Sequence, residues 1–339
     1  IVRIVAGHPS PEATTVATSD RALRARVAAL GAAAEGGPRF LDRLADVESR
    51  RGDRAILAAF GVDESAFLGR GGEARVFALD AERVLRLPHR GADPGPLEER
   101  RRLLASIAAA GWRVALPEVL EHREVAGRLV VVERRLPGRN ALDVLAEPGR
   151  DREALVRDHL DVARSVADLP CPTDRFGEVL GGNRIEADGF SAWAERRLAV
   201  SLAAGGEAFA GVEPGAVTRD LVDALPEPEP ARPRLVHLDV FLGNMLAVGD
   251  RISALLDFGP MTIGGPRDLD VLAAVAYLAP EITPTAGDGE RRAARAWAAE
   301  AGLDAAVAPA ERWMAAYWTG APDDERLRRW CGRILGVRV

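Results

Sequence analysis

Residues 235–246 read Leu-Val-His-Leu-Asp-Val-Phe-Leu-Gly-Asn-Met-Leu, and residues 255–259 read Leu-Leu-Asp-Phe-Gly. The first stretch puts His237, Asp239 and Asn244 on one short loop, and the second returns Asp257 thirteen residues after the asparagine. Between them lies a hairpin pattern: apolar Met245–Val248, a Gly249–Asp250 turn, then alternation over Ile252–Leu256. Such a hairpin sets Asn244 beside Asp257, two oxygen ligands of the kind that hold Mg²⁺ against nucleotide phosphates. Asp239 stands just outside the pair, free to accept a proton from an incoming hydroxyl. Taken alone, His-x-Asp-x₄-Asn also fits an Asx-rich turn with a satisfied histidine. The hairpin and the second aspartate at this offset favour phosphoryl-transfer chemistry.

Composition narrows the field. A chain of 339 residues can bury two sizeable cores, and an apolar content of 47% with 28% charged residues fits a globular protein. No apolar run reaches membrane-spanning length, and no basic segment precedes a hydrophobic one at the N-terminus, so no membrane partner is expected. Cys171 and Cys331 are too few for a disulfide framework or a zinc site and read as buried thiols of a cytoplasmic protein. A net charge of −6 speaks against a nucleic-acid partner. The sequence contains no lysine, which removes Schiff-base and other lysine-dependent chemistry.

Three regions follow from the patterning. Residues 1–60 read as an N-terminal helical extension: a short β-type run at Ile1–Val5, a helix capped at Ser19–Asp20, and apolar residues at helical spacing from Leu41 to Phe60. Residues 61–136 read as a small sheet-rich lobe, with strands over Phe67–Leu79, Val84–Leu87, Val119–His122 and Arg128–Glu133 and a helix over Pro96–Ala110. Residues 137–339 are mostly helical, interrupted by Pro170, Pro172 and the Gly181–Gly182 pair, with an extended Pro-Glu-Pro-Glu-Pro connector at 226–230.

A glycine loop, a sheet, the Val-Val-Val-Glu-Arg-Arg-Leu-Pro-Gly run at 130–138, the His-x-Asp-x₄-Asn loop and Asp-Phe-Gly occur in that order. This chain resembles the aminoglycoside phosphotransferase and choline-kinase-like family of small-molecule kinases, from about Phe67 to at least Tyr277. The resemblance implies an α+β, bilobal protein-kinase-like fold, with a small antiparallel-sheet N-lobe and a larger, mainly helical C-lobe. It implies ATP or GTP as phosphoryl donor, Mg²⁺, and a small hydroxylated acceptor. Asp239 matches the catalytic aspartate; Asn244 and Asp257 match the magnesium ligands. His237 is expected to brace the loop more than to act as a base. Gly69, Gly71 and Gly72 match the phosphate-covering loop, and Glu133 and Arg135 the hinge whose backbone meets the base. In Gly-Gly-Pro-Arg-Asp-Leu-Asp at 264–270, Asp268 is the expected structural acid supporting the catalytic loop, with Asp270 as the alternative.

Two departures from the family pattern stand out. The glycine loop reads Gly69-x-Gly71-x-x-Ala74-x-Val76, with alanine at the third glycine position, and a plain hairpin turn would also explain it. Arg86 stands where many kinases carry lysine; an arginine there keeps its charge and can bridge phosphate oxygens. Its expected carboxylate partner is Glu99, with Glu98 second, against the simpler reading of a surface ion pair.

The acceptor is less legible. From Asp270 to Val339 the chain has ten acids and nine arginines, a balance that suits a weakly charged acceptor such as a nucleoside-type or macrolide antibiotic. Trp313, Tyr317 and Trp318 share a helical spacing and serve either as core or as a wall for a ring face. A housekeeping kinase of choline, a sugar or an amino alcohol, or a catalytically silent binding protein, remain the rival readings. No Ala-Pro-Glu anchor follows Asp257, which disfavours a protein kinase.

Overall fold

A computed structural model describes residues 1–18, 20–35, 53–70, 74–89, 94–182, 184–321 and 324–339. The chain divides into two compact units, one of residues 1–92 and 121–132 and the other of residues 93–120 and 133–339.

The first unit opens with α1 (Val2–Ala6), β1 (Thr15–Ala17), α2 (Arg21–Ala28) and β2 (Ala33–Glu35), with β1 and β2 paired in parallel. The β-type run expected at Ile1–Val5 is therefore a helix. The strands available to it pair with each other, and Val5 packs with Val16 and Val27 in a small separate core. Asp20 caps α2 as expected, accepting from the amides of Ala22 and Leu23. Of the helical spacing read over Leu41–Phe60, residues 41–52 lie outside the described residues, and 53–59 form α3.

The sheet of this unit runs β3 (Phe67–Arg70), β4 (Ala74–Ala78), β5 (Arg83–Pro88), then, after α4 (Pro94–Ala109) of the second unit, β6 (Val119–Val125) and β7 (Arg128–Arg134). Its order is β3-β4-β5-β7-β6. The period-two rule sends Leu85 and Leu87 into a core with Ile56, Leu57, Phe77, Val130 and Val132, and puts Arg86 on the opposite face. Beneath the sheet, Asp53 is fully buried and bridges Arg75 and Arg128; Arg75 also lies against the rings of Phe67 and Phe77.

The second unit continues with β8 (Arg139–Asn140), α5 (Ala141–Ala146), α6 (Arg152–Ser165), β9 (Phe176–Glu178), β10 (Glu186–Ala187), α7 (Phe190–Gly205) and α8 (Pro214–Ala224). Then come β11 (Arg234–Val236), β12 (Met245–Val248), β13 (Arg251–Leu255), β14 (Ile263–Gly265), α9 (Leu269–Ala276), α10 (Asp288–Glu300), α11 (Asp304–Tyr317) and α12 (Glu325–Leu335). Every residue of α9 is buried, which makes it the central helix of the unit. Helix α7 turns Phe190, Trp193, Ala194, Leu198 and Leu202 inward, the spacing of one helical face, onto Trp313 of α11. Two small sheets carry the functional loops. One has the order β13-β12-β8, and the other β10-β9-β14-β11.

Candidate active site

The site is built by two sequence-local devices. β12 and β13 pair antiparallel with Met245 opposite Leu255 and Val248 opposite Arg251, leaving Gly249 and Asp250 as a two-residue turn. Gly249 has φ +61, the conformation such turns require of their first central residue. The hairpin predicted from alternation is thus present, and the Leu256 amide bonds the Asn244 carbonyl at 2.8 Å. Asn244 and Asp257 consequently flank the same end of the hairpin. Asp257 holds a left-handed backbone, φ +61, in a non-glycine residue.

Asn244 donates through Nδ2 to the Asp239 carboxylate at 2.7 Å and to the Asp239 carbonyl at 3.1 Å. Those two bonds fix the amide orientation and turn its Oδ1 away from Asp239. One amide oxygen and the neighbouring Asp257 carboxylate form a donor set suited to Mg²⁺, an ion that keeps several waters and phosphate oxygens and needs only one or two protein ligands. Burial raises the Asp239 carboxyl to about 6; the Asn244 amide opposes the rise and the Asp257 charge adds to it. A carboxylate with that value accepts a proton readily near neutral pH.

The loop is braced from behind. Buried His237 bonds the Leu256 carbonyl through Nε2 at 2.8 Å and meets the Phe258 ring edge-on at 4.5 Å. Burial pushes its imidazole down to about 4, so it is neutral at physiological pH. It ties the loop to the strand end bearing Asp257, the bracing role expected of it.

The supporting acid is Asp270, which corrects the expectation of Asp268. The Asp270 carboxylate accepts the His237 amide at 2.8 Å and the Leu238 amide at 2.7 Å. Burial raises Asp270 to about 7 against the pull of those two amides. Asp268 instead faces Arg164 at 3.4 Å and makes no capping bond to α9. Two residues on a helix are separated by about 200°, so only one of the pair can face the loop.

Sequence reasoning missed three further supports. Asn140 donates through Nδ2 to the Gly243 carbonyl at 2.8 Å, His159 of α6 bonds the Val240 carbonyl at 2.7 Å, and the Tyr277 hydroxyl bonds the Leu238 carbonyl at 2.9 Å. None belongs to a local motif, and each pairing spans at least 39 residues of sequence.

The remaining expected residues are placed as follows. Gly69 lies in β3 opposite Val76, with open space where a Cβ would stand; Gly71 and Gly72 lie outside the described residues. Arg86 is half-buried in β5. Glu99, its expected partner, has its carboxylate engaged by the Gly181 amide at 3.1 Å and the Arg184 guanidinium at 2.8 Å, both in its own unit. The Glu133 side chain pairs with Arg100 at 2.8 Å, and Arg135 is exposed. Trp313 and Tyr317 are core residues, stacked at 5.4 Å, and Trp318 is half-buried. Among the described residues no group of three or more His, Cys, Asp or Glu side chains could hold a metal, and no helix is long and apolar enough to cross a membrane.

Comparison with known proteins agrees with this architecture. The profile of the phosphotransferase enzyme family (APH) matches residues 65–306. No curated protein matches the sequence. Among solved structures, aminoglycoside phosphotransferase APH(4)-Ia superposes with a TM-score of 0.57 at 17% identity, covering 83% of this chain and 96% of that one. A thermostable mutant of that enzyme, in ternary complex with AMP-PNP and hygromycin B, gives 0.57 at 18% over 85% and 97%. The GDP complex of aminoglycoside 2'-phosphotransferase-IIIa gives 0.52 at 18% over 83% and 95%. The fold is the α+β, protein-kinase-like fold of these enzymes, and the chain belongs to the phosphotransferase enzyme family.

Proposed function

We propose that this protein is a small-molecule O-phosphotransferase that moves the γ-phosphoryl group of ATP or GTP to a hydroxyl of an antibiotic-like or sugar-bearing acceptor. The observation that carries the reading is the Asn244–Asp239 pair: one side chain holds the base and presents its own oxygen beside Asp257. In this reading Asp239 orients the acceptor hydroxyl and takes its proton. Asn244 and Asp257 hold Mg²⁺, which neutralises charge on the transferring group. Arg86 and the backbone at Gly69, Gly71 and Gly72 face the phosphates, Glu99 supports that end of the site, and the backbone near Glu133 and Arg135 meets the base.

Support for a nucleotide donor and a hydroxyl-bearing antibiotic acceptor comes from the family and from the AMP-PNP, GDP and hygromycin B named with the similar structures. The near balance of acids and arginines over 270–339 favours an acceptor of low charge. We assign residues 1–60 to an added element with no part in the chemistry, 61–136 to nucleotide binding and 137–339 to catalysis and acceptor binding. The protein is assigned to the cytoplasm.

The test is acceptor-dependent release of nucleoside diphosphate with Mg²⁺, using ATP and GTP against a panel of hydroxyl-bearing antibiotics, sugars, choline and amino alcohols. Release that requires one acceptor class and disappears in Asp239→Ala supports the reading and names the acceptor. A choline, sugar or amino-alcohol acceptor would make it a housekeeping kinase. Release that persists in Asp239→Ala would sink the mechanism, and no Mg-nucleotide binding would favour a silent binding protein.

A further inference from the structure

The three consecutive carbonyls of Leu238, Asp239 and Val240 each accept a hydrogen bond from a side chain. Tyr277 Oη reaches Leu238 at 2.9 Å, Asn244 Nδ2 reaches Asp239 at 3.1 Å, and His159 Nε2 reaches Val240 at 2.7 Å. Tyr277 ends α9, His159 lies in the middle of α6, and both are buried. The peptides on either side of Asp239 are therefore tethered to two different helices.

The donor directions can be assigned. The Trp318 indole N–H sits 2.8 Å from Tyr277 Oη and can only donate. The phenol oxygen must accept that bond, so its own proton is directed to the Leu238 carbonyl. A carbonyl can only accept, so His159 carries its proton on Nε2. His159 Nδ1 is then a buried acceptor with no partner among the described residues. An imidazole with one orphaned nitrogen is a poor filler for an apolar core, where such an atom costs about 1–3 kcal/mol. What it supplies is the bond to Val240.

Leu238 supplies the reason for holding this segment so firmly. Its φ is +66, a left-handed conformation that a leucine adopts only under constraint. Its amide is taken by Asp270 and its carbonyl by Tyr277, residues seven apart on α9 and hence on one face of that helix. Release of the carbonyl would let the peptide relax toward ordinary backbone and swing the next side chain, Asp239.

We propose that Tyr277 and His159 are positioning residues for Asp239, acting through the carbonyls of the two residues that flank it, with Trp318 orienting the Tyr277 hydroxyl. The proposal rests on the phosphotransfer reading for its catalytic consequence and on the backbone geometry alone for its structural one.

The experiment has two arms on the full chain. Amide hydrogen exchange over residues 235–246 is compared in the wild type, Tyr277→Phe, His159→Leu and His159→Gln. Then kcat and nucleotide KM are measured for Mg-nucleotide turnover with the acceptor panel and with water alone. Tyr277→Phe deletes only the hydroxyl, while His159→Gln keeps an N–H donor that His159→Leu lacks. Exchange in the loop is expected to rise about ten-fold in Tyr277→Phe and His159→Leu, with kcat down about ten-fold and nucleotide KM within about two-fold. His159→Gln should restore much of both. Unchanged loop exchange in Tyr277→Phe overturns the proposal, as does faster exchange with kcat intact. If His159→Leu fails to fold, Tyr277→Phe decides. A wild type that turns over no acceptor counts against the phosphotransfer reading, while the exchange arm still decides whether these residues hold the loop.

Discussion

Asn244 bonds both the carboxylate and the carbonyl of Asp239, five residues before it in sequence, so one amide sets the position and the rotamer of the proposed base. The same bonds orient the Asn244 oxygen outward as a metal ligand. Replacing it with aspartate would set two carboxylates at hydrogen-bond distance. Asn244→Asp is expected to lower turnover at neutral pH by about 100-fold or more and to drive the Asp239 carboxyl further up. Steady-state kinetics across pH, with nucleotide binding measured alongside, checks it; turnover within about two-fold of wild type would remove Asn244 from the mechanism.

Asp270 and Asp268 should separate cleanly on stability. Asp270→Ala strands the buried His237 and Leu238 amides and is expected to cost about 3 kcal/mol or more. Asp268→Ala loses a loose pair with the part-exposed Arg164 and should cost about 1 kcal/mol or less. Urea unfolding of the two variants beside the wild type reads the difference, and equal costs would contradict the assignment.

His159 makes stability fall in mild acid. Burial lowers its imidazole from an ordinary 6.5 to about 4 in the folded state. Between those values the unfolded chain binds the extra proton, so this contribution is fully present above pH 6.5 and is lost as pH falls towards 4. Relative to His159→Gln, wild-type stability should drop by about 1.4 kcal/mol per pH unit over that window. Parallel pH profiles for the two proteins would show that the imidazole is not held neutral.

Gly138 leads the chain from β7 into β8 with φ +113. A Cβ there would stand 2.6 Å from Ser253 Oγ and 2.7 Å from the Ala247 carbonyl of the hairpin carrying Asn244. Strain and clash act together, and Gly138→Ala should destabilise by about 2 kcal/mol or more. Thermal unfolding would test this against Gly249→Ala, which has the left-handed backbone but open space around the added carbon.

The sequence by itself determined the strand-and-helix order of 67–339, the hairpin turning at Gly249, the grouping of Asp239, Asn244 and Asp257, and the family. These are local facts: a period of two or 3.6, a turn glycine, and ligands separated by one short hairpin. Only the tertiary structure decided which aspartate of the 268–270 segment holds the loop, because that depends on which face α9 turns towards it. It alone brought His159 and Tyr277 to the carbonyls beside Asp239, and Arg184 to Glu99. It also made a helix of Val2–Ala6, whose β-branched residues found no strand to join. Pairings across tens of residues follow from how helices rotate and pack onto one core, and no short window of sequence carries that rotation.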